Sequence, residues 1–248
     1  MKKFLAGALT MLIIFSAGCG SAEKESEKPT ITEATKVLEE DAAHYVKLAE
    51  EKLSERNFKS SREALELTEK AILLEPENAL AHYTRGKVKL DLGRFKQAYY
   101  SFSKAIEFKP DYEEAYYLRG CSCICIGTLE EAVEDFNRVL SLNPNSAKAY
   151  FRLGYCYRLL KEYDLAIENF NQGISLDSQD SEAYNERGTA WLNSGNCQAA
   201  LVDFNKAIEL KANYALAYHN RSRCYEKLGD MEKAQADAAK AEELGYKS

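Results

Sequence analysis

Histidine is nearly absent from the sequence: its 248 residues include three, at positions 44, 82 and 219, too few and too scattered for a histidine-rich metal site or a recognisable catalytic triad. A basic surplus is missing too. Lys and Arg total 33 against 39 Asp and Glu, a formal net charge of −6, so no excess of cations neutralises a phosphate backbone and nucleic acid is excluded as a general partner. The apolar run from Phe4 to Phe15 falls short of the roughly 20 helical residues that span a bilayer, which argues against a permanent membrane-crossing helix there. Proline and glycine are scarce, at 4 and 13 residues, which makes their positions worth reading. What the chain does have is apolar content, 46% of residues, enough to bury one large core or a string of smaller ones. This composition leans away from an enzyme and calls for no cofactor.

Residues 1–18 read as an export signal, because Lys2 and Lys3 precede the short apolar run and Ser16-Ala17-Gly18 lead into Cys19. The small residues before Cys19 resemble a bacterial lipoprotein box, although Ser16 stands where Leu is usual. The resemblance implies cleavage before Cys19, a diacylglyceryl group on its thiol, and an exported protein lipid-anchored to a bacterial cell membrane or outer membrane. An ordinary secretory signal with an incidental Cys19 is the alternative. Residues 19–31 follow as the lipidated Cys and a tether, since Gly20 to Thr30 hold no large apolar residue whose burial would order them.

From residue 79 onward one interval dominates. Gly86, Gly120, Gly154 and Gly188 are each 34 residues apart, with Ser222 next in the series. The same interval relates Ala98, Ala132, Ala166, Ala200 and Ala234; Phe102, Phe136, Phe170 and Phe204; and Tyr116, Tyr150, Tyr184 and Tyr218, with His82 in the first of those slots. Five repeats tile 79–112, 113–146, 147–180, 181–214 and 215–248. Residues 32–78 hold an N-terminal helix and a degenerate first repeat, with Lys52 in the Gly slot and Thr68 in the Phe slot. That helix is read from Thr32, because Val37, Leu38, Ala42, Tyr45, Ala49 and Leu53 make an apolar stripe.

Within each repeat, positions 4, 7, 8 and 11 follow the spacing of one helical face, and positions 20, 24, 27 and 28 that of a second, so each repeat is a helical hairpin. Small residues at 8 and 20 allow close approach. Gly93, Gly127, Gly195 and Gly229 end first helices, and Pro76, Pro110 and Pro144 stop second helices, a stop weakened where Ser178 and Ala212 replace Pro. The last helix carries Gln235, Ala238 and Glu242 in usually apolar slots and reads as a solvating cap.

This pattern resembles the tetratricopeptide repeat. The resemblance implies an all-α fold, a right-handed superhelical solenoid of hairpins whose concave wall is built from first helices at repeat positions 2, 5, 6, 9, 12 and 13. Those positions here include Tyr83, Lys87, Tyr117, Lys148, Phe151, Arg152, Tyr155, Arg158, Asn185 and His219, an aromatic and cationic stripe interrupted by Glu114, Glu182 and Glu186. Such a wall suits a protein partner, a peptide or helix with apolar anchors and carboxylates. The carboxylate clamp of chaperone-binding relatives is not reproduced: among the corresponding Tyr83, Lys87, Leu118, Lys148 and Arg152, only the last two match. In build the chain is similar to tetratricopeptide lipoproteins such as type IV pilus assembly pilotins and cell-wall hydrolase adaptors. The expected function is therefore a membrane-tethered interaction scaffold for an envelope complex, touching the membrane through its lipid anchor only.

Two further patterns stand out. Besides Cys19 the chain has Cys121, Cys123, Cys125, Cys156, Cys197 and Cys224. They read chiefly as small buried hydrophobes, without a metal site; a disulfide, or a metal, redox or small-ligand sensing module on the Cys121-Cys123-Cys125 helix, is the alternative. Position 7 is Arg in four repeats (Arg85, Arg119, Arg187, Arg221), and position 23 is Asp in three of these (Asp135, Asp203, Asp237) and Ser101 in the fourth. Where position 7 is Leu153, position 23 is Asn169. This co-occurrence predicts Arg–Asp pairs in the helix–helix seam, because an unpaired buried charge is costly.

Overall fold

A computed structural model describes residues 41–247; the export signal, Cys19, the tether and the helix start read at Thr32 lie outside them. The described residues form twelve α-helices in six hairpins and no strand. They are α1 (Ala42–Ser54), α2 (Phe58–Leu74), α3 (Ala79–Asp91), α4 (Phe95–Phe108), α5 (Glu113–Ile126), α6 (Leu129–Leu142), α7 (Ala147–Leu159), α8 (Tyr163–Leu176), α9 (Ser181–Asn193), α10 (Cys197–Leu210), α11 (Ala215–Leu228) and α12 (Met231–Glu243). No helix among them is long and apolar enough to cross a membrane.

Local chemistry sets the ends of these helices. Gly127 and Gly229 cap α5 and α11 in the left-handed region, with φ of 95° and 82°, where a Cβ would be strained. After α7 the equivalent slot is Lys161, which adopts φ 66° without that freedom. Second helices stop at the same point with or without proline: α8 ends at Leu176 and α10 at Leu210, ahead of Ser178 and Ala212, as α6 ends ahead of Pro144. At the other ends, the side chains of Asp41, Asn57, Asn78, Asp180, Asn196 and Asp230 accept from first-turn amides.

The hairpins are locked by a ring against a bare backbone. Phe102, Phe136, Phe170 and Phe204 are buried to within 1% of full enclosure. A Cβ added at Gly120 would stand 2.9 Å from Phe136 Cζ, so the α5 backbone lies directly on that ring. Gly154 and Gly188 meet Phe170 and Phe204 in the same way. Each helix packs on the next, and the first helices α1, α3, α5, α7, α9 and α11 also touch in succession whereas the second helices do not. The hairpins therefore fan with their first helices inside, and these make the concave wall.

The first hairpin corrects the sequence register. Counting back 34 residues placed Lys52 in the Gly slot, but Ala49 faces the core, fully buried beside Ala64 and Val88. Lys52 is turned outward, 2.8 Å from Glu55 and 3.3 Å from Glu63. The helix slips because α1 begins at Ala42 and its turn falls early, at Arg56 with φ 50°, while α2 runs 17 residues rather than 14. The extra turn of α2 returns the chain to register by Ala64 and Ala71, both fully buried.

The seam within each hairpin carries charge. Arg119 donates to Asp135 through Nε at 2.9 Å and Nη2 at 2.6 Å, Arg187 to Asp203 at 2.9 and 2.6 Å, and Arg221 to Asp237 at 2.7 and 2.7 Å. The third nitrogen, Nη1, reaches into the preceding repeat, to Ser103 at 3.1 Å, Asn171 at 2.6 Å and Asn205 at 2.7 Å. Each guanidinium also lies over its own repeat's Tyr116, Tyr184 or Tyr218, at 5.5, 5.5 and 5.3 Å from the ring centroid. Burial pushes the carboxyls of Asp135 and Asp203 above the ordinary aspartate range, and the hydrogen bonds and charge of their Arg partners oppose it.

Arg85 lacks a carboxylate and is held differently. Its Nε donates to Ser101 Oγ at 3.3 Å and its Nη2 to His82 Nδ1 at 3.1 Å, which leaves His82 Nε2 to donate to the Pro76 carbonyl at 2.8 Å. Tyr116 makes the matching bond to Pro110 O one repeat later, at 3.4 Å. Burial first, then the charges of Arg85 and Lys104, lower the His82 pKa, against the opposing Pro76 carbonyl and Glu107. A histidine kept neutral in the fold binds protons more readily when unfolded, so stability is retained above the unfolded pKa of about 6.5 and lost as pH falls below it. His82→Tyr is expected to shrink the drop in unfolding midpoint between about pH 7.5 and pH 5.5, followed by circular dichroism. An unchanged drop would assign the acid sensitivity elsewhere.

Candidate functional site

The concave wall opens into a pocket of about 290 Å³ between α5, α7 and α9. Its floor is aromatic. Phe151 on α7 packs its ring onto Gly173 of α8, where a Cβ would collide with it, and Tyr117, Tyr155 and Phe170 complete the lining.

Its walls are oppositely charged. Lys148 and Arg152, one turn apart on α7 and both exposed, lean on Tyr117: the Lys148 ammonium lies 5.4 Å from the ring centroid and Arg152 Nε donates to the phenol oxygen at 3.4 Å. Facing them are Asp180, Glu182 and Glu186. Asp180 caps α9, accepting from the Glu182 and Ala183 amides at 2.8 and 3.0 Å, and Glu182 is exposed. Glu186 pairs with Arg158 at 2.8 Å. Tyr214 closes this side; burial and the charges of Glu182, Glu186 and Asp180 push its phenol up.

Of the sequence-derived groove residues, the pocket thus gathers Tyr117, Lys148, Phe151, Arg152 and Tyr155. The others stand apart. Tyr83 packs against Tyr112 and Phe102, with ring centroids 4.8 and 5.9 Å away, and Lys87 sits over Tyr83 while pairing with Glu50 at 3.4 Å. Arg158 lies over the Tyr155 ring at 5.0 Å and, paired with Glu186, supports the wall from beneath. His219 stacks on Tyr246 at 4.2 Å near the carboxyl end. Asn185 is a correction: its exposure is 0%, and its Oδ1 accepts from Asn220 Nδ2 at 3.1 Å, inside the α9–α11 seam and out of a partner's reach. Asp180 and Tyr214 were missed because both occupy the last slot of a repeat, outside the usual first-helix positions. That slot reads Tyr112, Ser146, Asp180, Tyr214, and the signal was there.

The cysteine helix does not converge on a ligand. Cys123 is buried, Cys121 half-buried and Cys125 exposed, and among the described residues no three His, Cys, Asp or Glu side chains are grouped to hold a metal. Burial pushes the Cys123 and Cys156 thiols up to about 11 and about 12, which keeps them protonated at neutral pH.

Tetratricopeptide-repeat family models match residues 86–121, 126–160, 147–180 and 204–236, together half of the chain. The chain belongs to the tetratricopeptide-repeat family. A solved structure of MamA is 27% identical, covers 70% of this chain and 93% of its own, and superposes with a TM-score of 0.64. YrrB, described as a tetratricopeptide-repeat protein with an unusual peptide-binding site, is 26% identical, with coverage of 76% and 95% and a TM-score of 0.65. A tetratricopeptide repeat protein from Parabacteroides merdae, 24% identical over 88% of this chain and 85% of its own, shares the fold at a TM-score of 0.64. No curated protein matches the chain significantly in sequence.

Proposed function

We propose that the protein is an interaction scaffold that takes a peptide or helical segment of a partner protein into the pocket between α5, α7 and α9. The observation that carries this is a pair of opposed charged walls over an aromatic floor: Lys148 and Arg152 on one side, Asp180, Glu182 and Glu186 on the other, Phe151 beneath. A segment with an apolar anchor between a carboxylate and a cation fits it, the ring contact supplying affinity and the charges fixing direction. The peptide-binding site named for YrrB supports this use of the fold. The lipobox-like run ending at Cys19 supports the rest of the reading, a scaffold exported and held at a bacterial membrane by lipid, serving assembly of an envelope complex.

Selection of displayed peptides on the immobilised protein tests the pocket. Enriched sequences are expected to carry an aromatic or aliphatic residue flanked by acid on one side and base on the other. Phe151→Ala or Arg152→Glu is expected to weaken a selected peptide by more than about 1 kcal/mol, over fivefold in Kd, with the helical spectrum intact. Peptides bound equally well by both variants would move the site off this wall.

A further inference from the structure

We propose that Cys197 and Cys224 are a covalent modification site, forming a disulfide that staples the last repeat to the one before it. The inference is independent of the groove and shares with the anchoring reading only its oxidising compartment.

Cys197 is the first residue of α10, Cys224 lies on α11, and these helices pack directly on one another. Both side chains belong to one buried cluster with Leu192, Ala200 and Phe204, at 6% and 0% exposure. The two thiols thus share one closed apolar compartment at the α10–α11 seam. The repeat register makes the pair stand out. The slot of Cys197 holds Phe95, Leu129, Tyr163 and Met231 in other repeats, all bulky apolar residues. The slot of Cys224 in the next repeat holds a cysteine at one other place, Cys156, and there the facing residue is Leu129, so only the seam between α10 and α11 has cysteine at both positions.

Bond formation needs an electron acceptor, here a disulfide-bearing oxidant. A thiolate of one cysteine attacks a donor sulfur, forming a mixed disulfide and releasing one donor thiolate. The second cysteine then attacks the mixed disulfide and releases the other. The protein loses two protons and two electrons, and the donor disulfide becomes two thiols. Burial and the neighbouring Cys197 thiol push the Cys224 thiol up to about 12, so the folded pair reacts slowly and the bond closes while the terminal repeat is open.

The test uses the purified full-length body with its six internal cysteines reduced, oxidised glutathione as the oxidant, and mild urea to open the terminal repeat. After denaturing alkylation, mass spectrometry is expected to find two internal thiols consumed, a Cys197–Cys224 linked peptide, and Cys121, Cys123, Cys125 and Cys156 alkylated. Dithiothreitol is expected to lower the unfolding midpoint of the oxidised protein by roughly 5 °C or more and to leave that of Cys197→Ala unchanged. Protein isolated from the cell envelope should carry the same link. Stable glutathione adducts at both positions, a Cys121–Cys156 link instead, or six free thiols after incubation would overturn the proposal. Its outcome does not depend on whether Cys19 is lipidated or what the groove binds.

Discussion

Arg119→Ala is expected to destabilise the solenoid by about 3–5 kcal/mol, while Arg119→Leu combined with Asp135→Asn should cost much less. The single change leaves the Asp135 carboxylate, with a side-chain exposure of 5%, facing the space its two short hydrogen bonds had filled. It also removes the link to Ser103 and the stacking on Tyr116. The double change copies what the 147–180 repeat already does. There Leu153 is 1% exposed and Asn169 satisfies itself by donating to Leu165 O at 2.8 Å, with no charge in the seam. Urea unfolding of the double variant and of the singles Arg119→Leu and Asp135→Asn completes the cycle. A double variant as unstable as the sum of the two singles would show that Arg and Asp act independently.

Cys19→Ala is expected to abolish acylation and to leave unprocessed or soluble material in place of the mature membrane-held protein. A single acyl chain holds a protein only marginally at a membrane, whereas the two chains of a diacylglyceryl group hold it stably, so on the lipoprotein reading the mature protein depends on the Cys19 thiol for its anchor. No described helix offers a substitute span. Fractionation of cells expressing wild-type and variant protein, with metabolic fatty-acid labelling, checks this. Wild-type processing and membrane retention of the alanine variant would end the lipoprotein reading.

The hairpins were legible in the sequence because the contact that builds them has an invariant chemistry. A ring at Phe136 lying on the bare backbone of Gly120 tolerates nothing larger, so the pair recurs at a fixed interval wherever the packing recurs. The Arg–Asp pairs were legible for a related reason: burial makes the two residues depend on each other, and they change together at Leu153 and Asn169. The first hairpin was not legible by counting. A turn placed early and a second helix lengthened by one turn cancel, so positions on either side stay in register while α1 between them is displaced. The local pattern Ala42, Val46, Ala49 held the correct face. Asn185 was misplaced because its slot lines the groove in other repeats, whereas here the residue turns into the α9–α11 seam and pairs with Asn220.

The counter-charge of Arg119, Arg187 and Arg221 lies 16 residues away within the same repeat, and only neutral Ser103, Asn171 and Asn205 are borrowed from the unit before. The seam of such a unit is electrically self-contained. Duplicating, deleting or relocating one keeps the seam pair intact and gives up a neutral hydrogen bond at the new junction, with a charge left over only where Arg158–Glu186 or Lys87–Glu50 crosses between units. An array built from such parts can change its length one unit at a time, and so the reach of its inner wall, without first redesigning the joints.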